Sequence, residues 1–157
     1  PELGDVEEPG ELGAFVTKSV MADPRSGRGT PRMAETPSGM LNSIGLQGPG
    51  ISAFVEHDLA WLKKVGARAL VSIAGGTSGE FADVAATLRA SDAFDAVMGV
   101  EVNISCPNVA NRGLVFACDP LASAKVIALV REQLPRDVPV FAKLTPDVTD
   151  IVSVAQA

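Results

Sequence analysis

Short apolar runs begin near Gly13, Ala67, Ala96 and Val138, and longer segments with apolar residues at helical spacing separate them. That alternation is the tightest constraint on the fold. In the first separating segment, Ile51, Phe54, Val55, Leu59, Leu62 and Val65 mark one face of an amphipathic helix that ends at Gly66. In the second, Thr77 and Glu80 form a capping-box signature ahead of Phe81, Val84, Ala85 and Leu88. In the third, Asp119 and Pro120 suit an N-cap and first helical position, with Val126, Ile127, Val130 and Leu134 on the buried side. A strand–helix repeat of this kind predicts an α/β fold with a parallel sheet. No GxGxxG or Walker-type phosphate loop follows the first strand, so a partial (β/α)8 barrel is favoured over an open doubly wound sheet. A full barrel takes about 250 residues. The 157 residues here therefore predict about four strand–helix units, covering 13–157 and truncated at both ends. The open edges of such a half barrel predict association or unfolding in isolation. Residues 1–12, rich in Glu, Pro and Gly, read as an acidic, exposed lead-in.

Composition narrows the function classes. With 46% hydrophobic and 20% charged residues, the chain has the make-up of a soluble globular domain. A net charge of -6 without a basic run argues against nucleic acid or anionic membrane as partner. No apolar stretch approaches the ~20 residues of a membrane helix, and the acidic amino end does not read as a secretory leader. Cys106 and Cys118 make no disulfide framework and fit a reducing, cytoplasmic setting; neither has a CxxC or Cys/His partner, so no metal site is expected.

Chemistry concentrates where the apolar runs end. The run Ala96–Ile104 passes directly into Asn103-Ile104-Ser105-Cys106-Pro107-Asn108, which holds two carboxamides, a hydroxyl and a thiol, with Pro107 stopping the strand. Parallel α/β proteins place their sites at the carboxyl ends of strands, because helices cover the sheet faces. The first run, Gly13–Val20, delivers Lys18 and Ser19 at its end; the second ends near Ser72; the fourth delivers Lys143. The Pro-, Gly- and Arg-rich span Asp23–Ser38 reads as a long loop, and Gly39–Gln47 as a binding loop. In the latter, Asn42 and Ser43 sit near Gly45, which permits close backbone approach.

Carboxamides offer a donor and an acceptor, and lysines a fixed positive charge, so these ends suit a flat, polar-edged, anionic ligand. Each residue also has a plainer reading. Cys106 is either a base or nucleophile or a small buried hydrophobe; either lysine alone is a solvated strand end; Cys118 reads as structural. His57 falls on the polar helix face, which leaves Ser105 without a base for a hydrolase triad.

The segments Met40-Leu41-Asn42-Ser43-Ile44-Gly45-Leu46-Gln47, Asn103–Asn108 and Phe141-Ala142-Lys143-Leu144-Thr145-Pro146 resemble the cytosolic dihydroorotate dehydrogenases, the NAD-linked branch most closely. The resemblance runs from about Gly13 to the last residue. It implies an FMN-containing barrel that oxidises dihydroorotate to orotate in pyrimidine biosynthesis. It also implies a homodimer paired with a second subunit carrying FAD and a [2Fe-2S] cluster. Cys106 matches the catalytic base. Lys18, Asn42, Ser43, Ile44, Gly45, Leu46, Asn103 and Asn108 match substrate-binding positions, and Lys18, Ser19, Ser72, Asn103 and Lys143 match flavin-binding ones. Gly48 stands where the family usually has asparagine, and Ala117-Cys118 where Gly-Thr is common. Dihydropyrimidine dehydrogenase shares a similar Asn-x-Ser-Cys-Pro-Asn segment and is the nearest rival. A non-catalytic α/β module binding a partner through its strand edges is the other.

Overall fold

The computed structural model describes residues 8–105 and 115–157. In chain order the strands are β1 (Phe15–Val16), β2 (Met33–Thr36), β3 (Gly39–Asn42), β4 (Ala69–Ile73), β5 (Val97–Asn103) and β6 (Val140–Lys143). The helices are α1 (Ile51–Ala53), which continues through a π-helical stretch Phe54–Leu59 into α2 (Ala60–Lys64), then α3 (Ser78–Arg89), α4 (Pro120–Gln133) and α5 (Ile151–Gln156). Four strands form one parallel sheet in the order β1-β4-β5-β6. Spatial order follows chain order without reversal. Right-handed crossovers then put every connecting helix on one side, which curves the sheet into the arc of a barrel. A doubly wound sheet would reverse its strand order at a switch point, and none occurs here. The structure is a partial parallel barrel, as the sequence predicts.

The sheet's helix-facing side is the core. Val71, Ile73, Val100 and Val102 are fully buried against Phe81, Val84 and Leu88 of α3 and Val126 and Val130 of α4. Phe81 and Phe116 meet edge to face with ring centroids 5.8 Å apart. The helix starts are capped largely as their sequences foretell. Asp119 accepts from the Leu121 and Ala122 amides, and Thr77 accepts from the Glu80 amide. The Glu80 carboxylate, however, returns to the amide of Gly76 and not to that of Thr77.

Several local expectations change. The run Gly13–Val20 does not form a continuous buried strand: Val16 is 54% exposed, and regular pairing lapses before a bridge between Val20 and Ile73. The amides of Phe15, Thr17 and Val20 bond to Arg68, Leu70 and Ser72 carbonyls, so the spacing slips from two residues to three. The Ser72 amide takes the Thr17 hydroxyl in place of a carbonyl. Met98, which lies within the apolar run Ala96–Ile104, is 43% exposed because the β4–β5 register shifts beside it. The predicted long loop contains β2, which pairs antiparallel with β3 across Pro37-Ser38, so much of the predicted binding loop is hairpin strand. Proline second and glycine fourth in Thr36-Pro37-Ser38-Gly39 is a turn signature. The first helix holds a π-helical stretch because its buried residues Phe54 and Leu59 lie five apart, a spacing the wider turn brings to one face. Val65, assigned to that face, is exposed past its end. Within the lead-in, Pro9 is buried in a short 3-10 turn, Pro9–Glu11.

Candidate active site

The side of the sheet facing away from the helices begins apolar and ends polar. Parallel partners share a face, so the register groups Val16 with Leu70, Ser72 with Glu101 and Phe141, and Asn103 with Lys143. Gly99 makes the apolar layer possible: a Cβ there would stand 3.1 Å from Leu70 Cδ1 and 3.3 Å from Phe141 Cε2. Toward the carboxyl ends the layer turns into hydroxyls, amides and charges.

The irregularity after β1 displays two of them. Because the chain slips by one residue between Thr17 and Val20, Lys18 and Ser19 stand at the rim instead of continuing the ladder. Ser19 Oγ lies 2.8 Å from Ser72 Oγ, and Asn103 Nδ2 donates to Ser19 Oγ at 2.9 Å. Ser72 Oγ donates to Glu101 Oε1 at 2.7 Å, and Lys143 Nζ pairs with that same oxygen at 2.7 Å. Ser105 Oγ donates to Asn103 Oδ1 at 2.8 Å. Ser72 has one hydroxyl hydrogen and spends it on Glu101, so Ser19 must be the donor to Ser72. The result is a directed chain, from Asn103 through Ser19 and Ser72 to Glu101, crossing β5, the β1 end and β4.

Lys18, Ser19, Asn42, Ile44, Gly45, Leu46, Ser72, Asn103 and Lys143, all singled out from sequence, line one cleft of about 400 Å³. The loop after the hairpin closes its side. Gly45 and Leu46 both have positive φ, 81° and 55°, which is strained for leucine, and Leu46 is buried. The close approach at Gly45 is to Arg28: a Cβ would lie 2.8 Å from Arg28 Cγ and 3.0 Å from its amide nitrogen. Ser43 does not line the cleft; it is exposed, and its amide donates to the Arg32 carbonyl. Cys106 and Asn108 lie outside the described residues. His57 is exposed, as expected. Cys118, read as structural, is exposed too, with its thiol directed at the Asp147 carbonyl.

Sequence reasoning gave no role to two residues that build the site. Glu101 lies two positions before Asn103, so strand alternation alone places it on the same face. Thr17 had no comparable signal, because its role follows from the break in pairing. A second cavity of about 350 Å³ lies between β1 and the first helix, lined mainly by Phe15, Val20, Phe54, Trp61 and Leu62. It shares Lys18 and Ser19 but lacks the converging carboxamides. Among the described residues no cluster of His, Cys, Asp or Glu is arranged to hold a metal, and no helix is long and apolar enough to cross a membrane.

An arc of parallel barrel with a polar, lysine-bearing rim at its strand ends defines the class: part of a parallel α/β barrel, with its polar cleft on the face where such barrels carry their sites. The family model described as dihydroorotate dehydrogenase matches residues 2–157, and the chain belongs to that family. It is similar to proteins named dihydroorotate dehydrogenase B (NAD(+)), catalytic subunit. With that of Geobacter sp. (strain M21) it shares 44% identity over 99% of this chain and 50% of the relative. With that of Citrifermentans bemidjiense the identity is 46%, over 93% of this chain and 46% of the relative. With that of Trichlorobacter lovleyi it is 47%, over 94% and 47%. The chain thus spans about half the length of the curated relatives it matches.

Proposed function

We propose that this chain forms the flavin- and substrate-facing strand ends of a dihydroorotate dehydrogenase catalytic subunit of the NAD-linked type. The reading is of a cytoplasmic enzyme that works as a homodimer with an electron-transfer subunit. One observation carries it: residues matched to substrate and flavin positions on β1, the hairpin loop, β4, β5 and β6 converge on one cleft.

The donor set fits FMN. A flavin's pyrimidine edge alternates acceptors with an N–H, which suits the Asn103 carboxamide, and the Lys143 ammonium offers positive charge beside it. Lys18 and Ser19 sit at the same rim. When bound, FMN supplies the acceptor for the hydride that leaves C6 of dihydroorotate. Asn42, Asn103 and Asn108 hold the pyrimidine edge of the substrate through paired donor and acceptor contacts, while Lys18 reaches the region between substrate and cofactor. Cys106 takes the C5 proton as general base.

The test is an absorbance spectrum of the full-length protein, followed by anaerobic dihydroorotate added to it and to Cys106→Ala. A flavin band that bleaches in the parent and at least a hundredfold more slowly in the variant, the usual scale for a lost general base, supports the reading. A band that ignores dihydroorotate but responds to dihydrouracil replaces it with a pyrimidine reductase. No flavin band in the parent removes it.

A further inference from the structure

Glu101 is out of place in a cleft built for an anion. It is the one carboxylate among the described residues lining that cleft, and a negative charge there opposes any ligand that gains electron density. Its side chain is only 16% exposed. A partly buried carboxylate is tolerated where its charge is paired and its lone pairs are used. Here a single oxygen, Oε1, does both, accepting from Lys143 Nζ and Ser72 Oγ at 2.7 Å each.

We propose that Glu101 is a positioning residue that pins the Lys143 ammonium at the rim and sets the direction of the hydrogen-bonded chain reaching Asn103. This rests on the flavin reading above. Lys143 is 43% exposed at the end of an edge strand, where a four-carbon stem left alone would sample many rotamers. The contact with Glu101 selects one. In the other direction, an ionised carboxylate can only accept, so it orients the Ser72 hydroxyl, which orients Ser19, which takes one hydrogen of the Asn103 amide. Ser105 occupies one lone pair of Asn103 Oδ1. What remains for a ligand at Asn103 is therefore one N–H and one lone pair at fixed positions. The pair also balances its own charge, so Lys143 presents a tempered cation where an unopposed one would stand.

Glu101→Gln keeps the shape and removes the charge. In flavin-free protein, acetic anhydride should modify Lys143 at least threefold faster in this variant than in the parent, relative to exposed Lys64 and read by mass spectrometry. In the FMN-loaded full-length protein, the flavin midpoint should move upward by about the 30 mV that corresponds to a tenfold shift of a two-electron couple. Lys143→Met should move it downward. In the double variant Glu101→Gln should still raise the potential, and by no less than in the parent, since the carboxylate acts on the flavin directly and no cation then offsets it. Glu101→Asp, with the charge kept but drawn back, should recover part of the shift. Unchanged labelling overturns the pinning, and a potential that Glu101→Gln leaves unchanged, in the parent or in the Lys143→Met background, overturns the charge role. A parent that takes up no flavin defeats the function proposed above, while the labelling still judges the contact.

Discussion

The two faces of the β4–β5 sheet are built from the same strands by opposite rules. On the helix side, Val71, Ile73, Val100 and Val102 leave no surface to water and belong to the apolar core. On the other, one residue along, Ser72, Glu101 and Asn103 are linked by directed hydrogen bonds and an ion pair. The first face is sequence-tolerant in chemistry and intolerant in volume. The second is the reverse, since its polar groups are joined by specific donor–acceptor contacts. Stability and recognition are thus separated by a single step of the strand's alternation.

The difference can be broken most forcefully on the packed side. Phe81 is fully buried between sheet and Phe116, so Phe81→Ala should cost about 3–5 kcal/mol in a urea titration. A loss below about 1 kcal/mol would mean that this face is not the core. Ser72 sharpens the contrast, because it belongs to the sheet interior by burial, at 1% exposure, and to the rim by bonding. Removing its hydroxyl takes one of the two donors from Glu101, leaving Lys143, and leaves Ser19 without this acceptor, so Ser72→Ala should cost about 1–3 kcal/mol. Flavin affinity should fall in the same variant. Lys143→Met tests the rim alone: the lysine end of the pair is 43% exposed and Glu101 keeps the Ser72 donor, so folding should lose only about 1 kcal/mol. Flavin affinity should nonetheless drop well beyond that, and equal small losses in folding and affinity would erase the distinction between the faces.

The packed face was easier to read than the rim. Apolar periodicity found the helices flanking β4 and β5 because those strands are covered and the pattern reports cover directly. It overstated burial at Val16 and Met98, where an uncovered face and a register shift put apolar residues against solvent. On the rim, Lys18, Asn103 and Lys143 were legible as the polar ends of apolar runs. Glu101 was legible in principle, two residues before Asn103, but a carboxylate conflicts with an anionic ligand until its partner on the neighbouring strand is known. Thr17 was not legible, since its hydroxyl substitutes for a carbonyl only where the ladder slips. Neither was the hairpin itself, because β2 and β3 are exposed throughout and carry no core signal.

The smallest effect belongs to α5, a short helix whose only buried residue is Val154. Its cap is Asp150, whose carboxylate accepts from the Ser153 hydroxyl and from the Val152 and Ser153 amides. These bonds, the one from the Ser153 side chain foremost, hold its pKa below the ordinary 3.8. A carboxyl with a lowered folded pKa stabilises fully above its unfolded value and loses that contribution as pH falls through the folded one. Local order in α5 should therefore decline only below about pH 4. Amide exchange at Val152 and Ser153, followed from pH 5 to pH 2 and corrected for intrinsic rates, reads this locally. Asp150→Asn keeps an acceptor oxygen but cannot titrate, so its exchange should stay flat across that range. If the parent stays equally flat, the cap does not govern α5, and acid sensitivity in this chain must begin elsewhere.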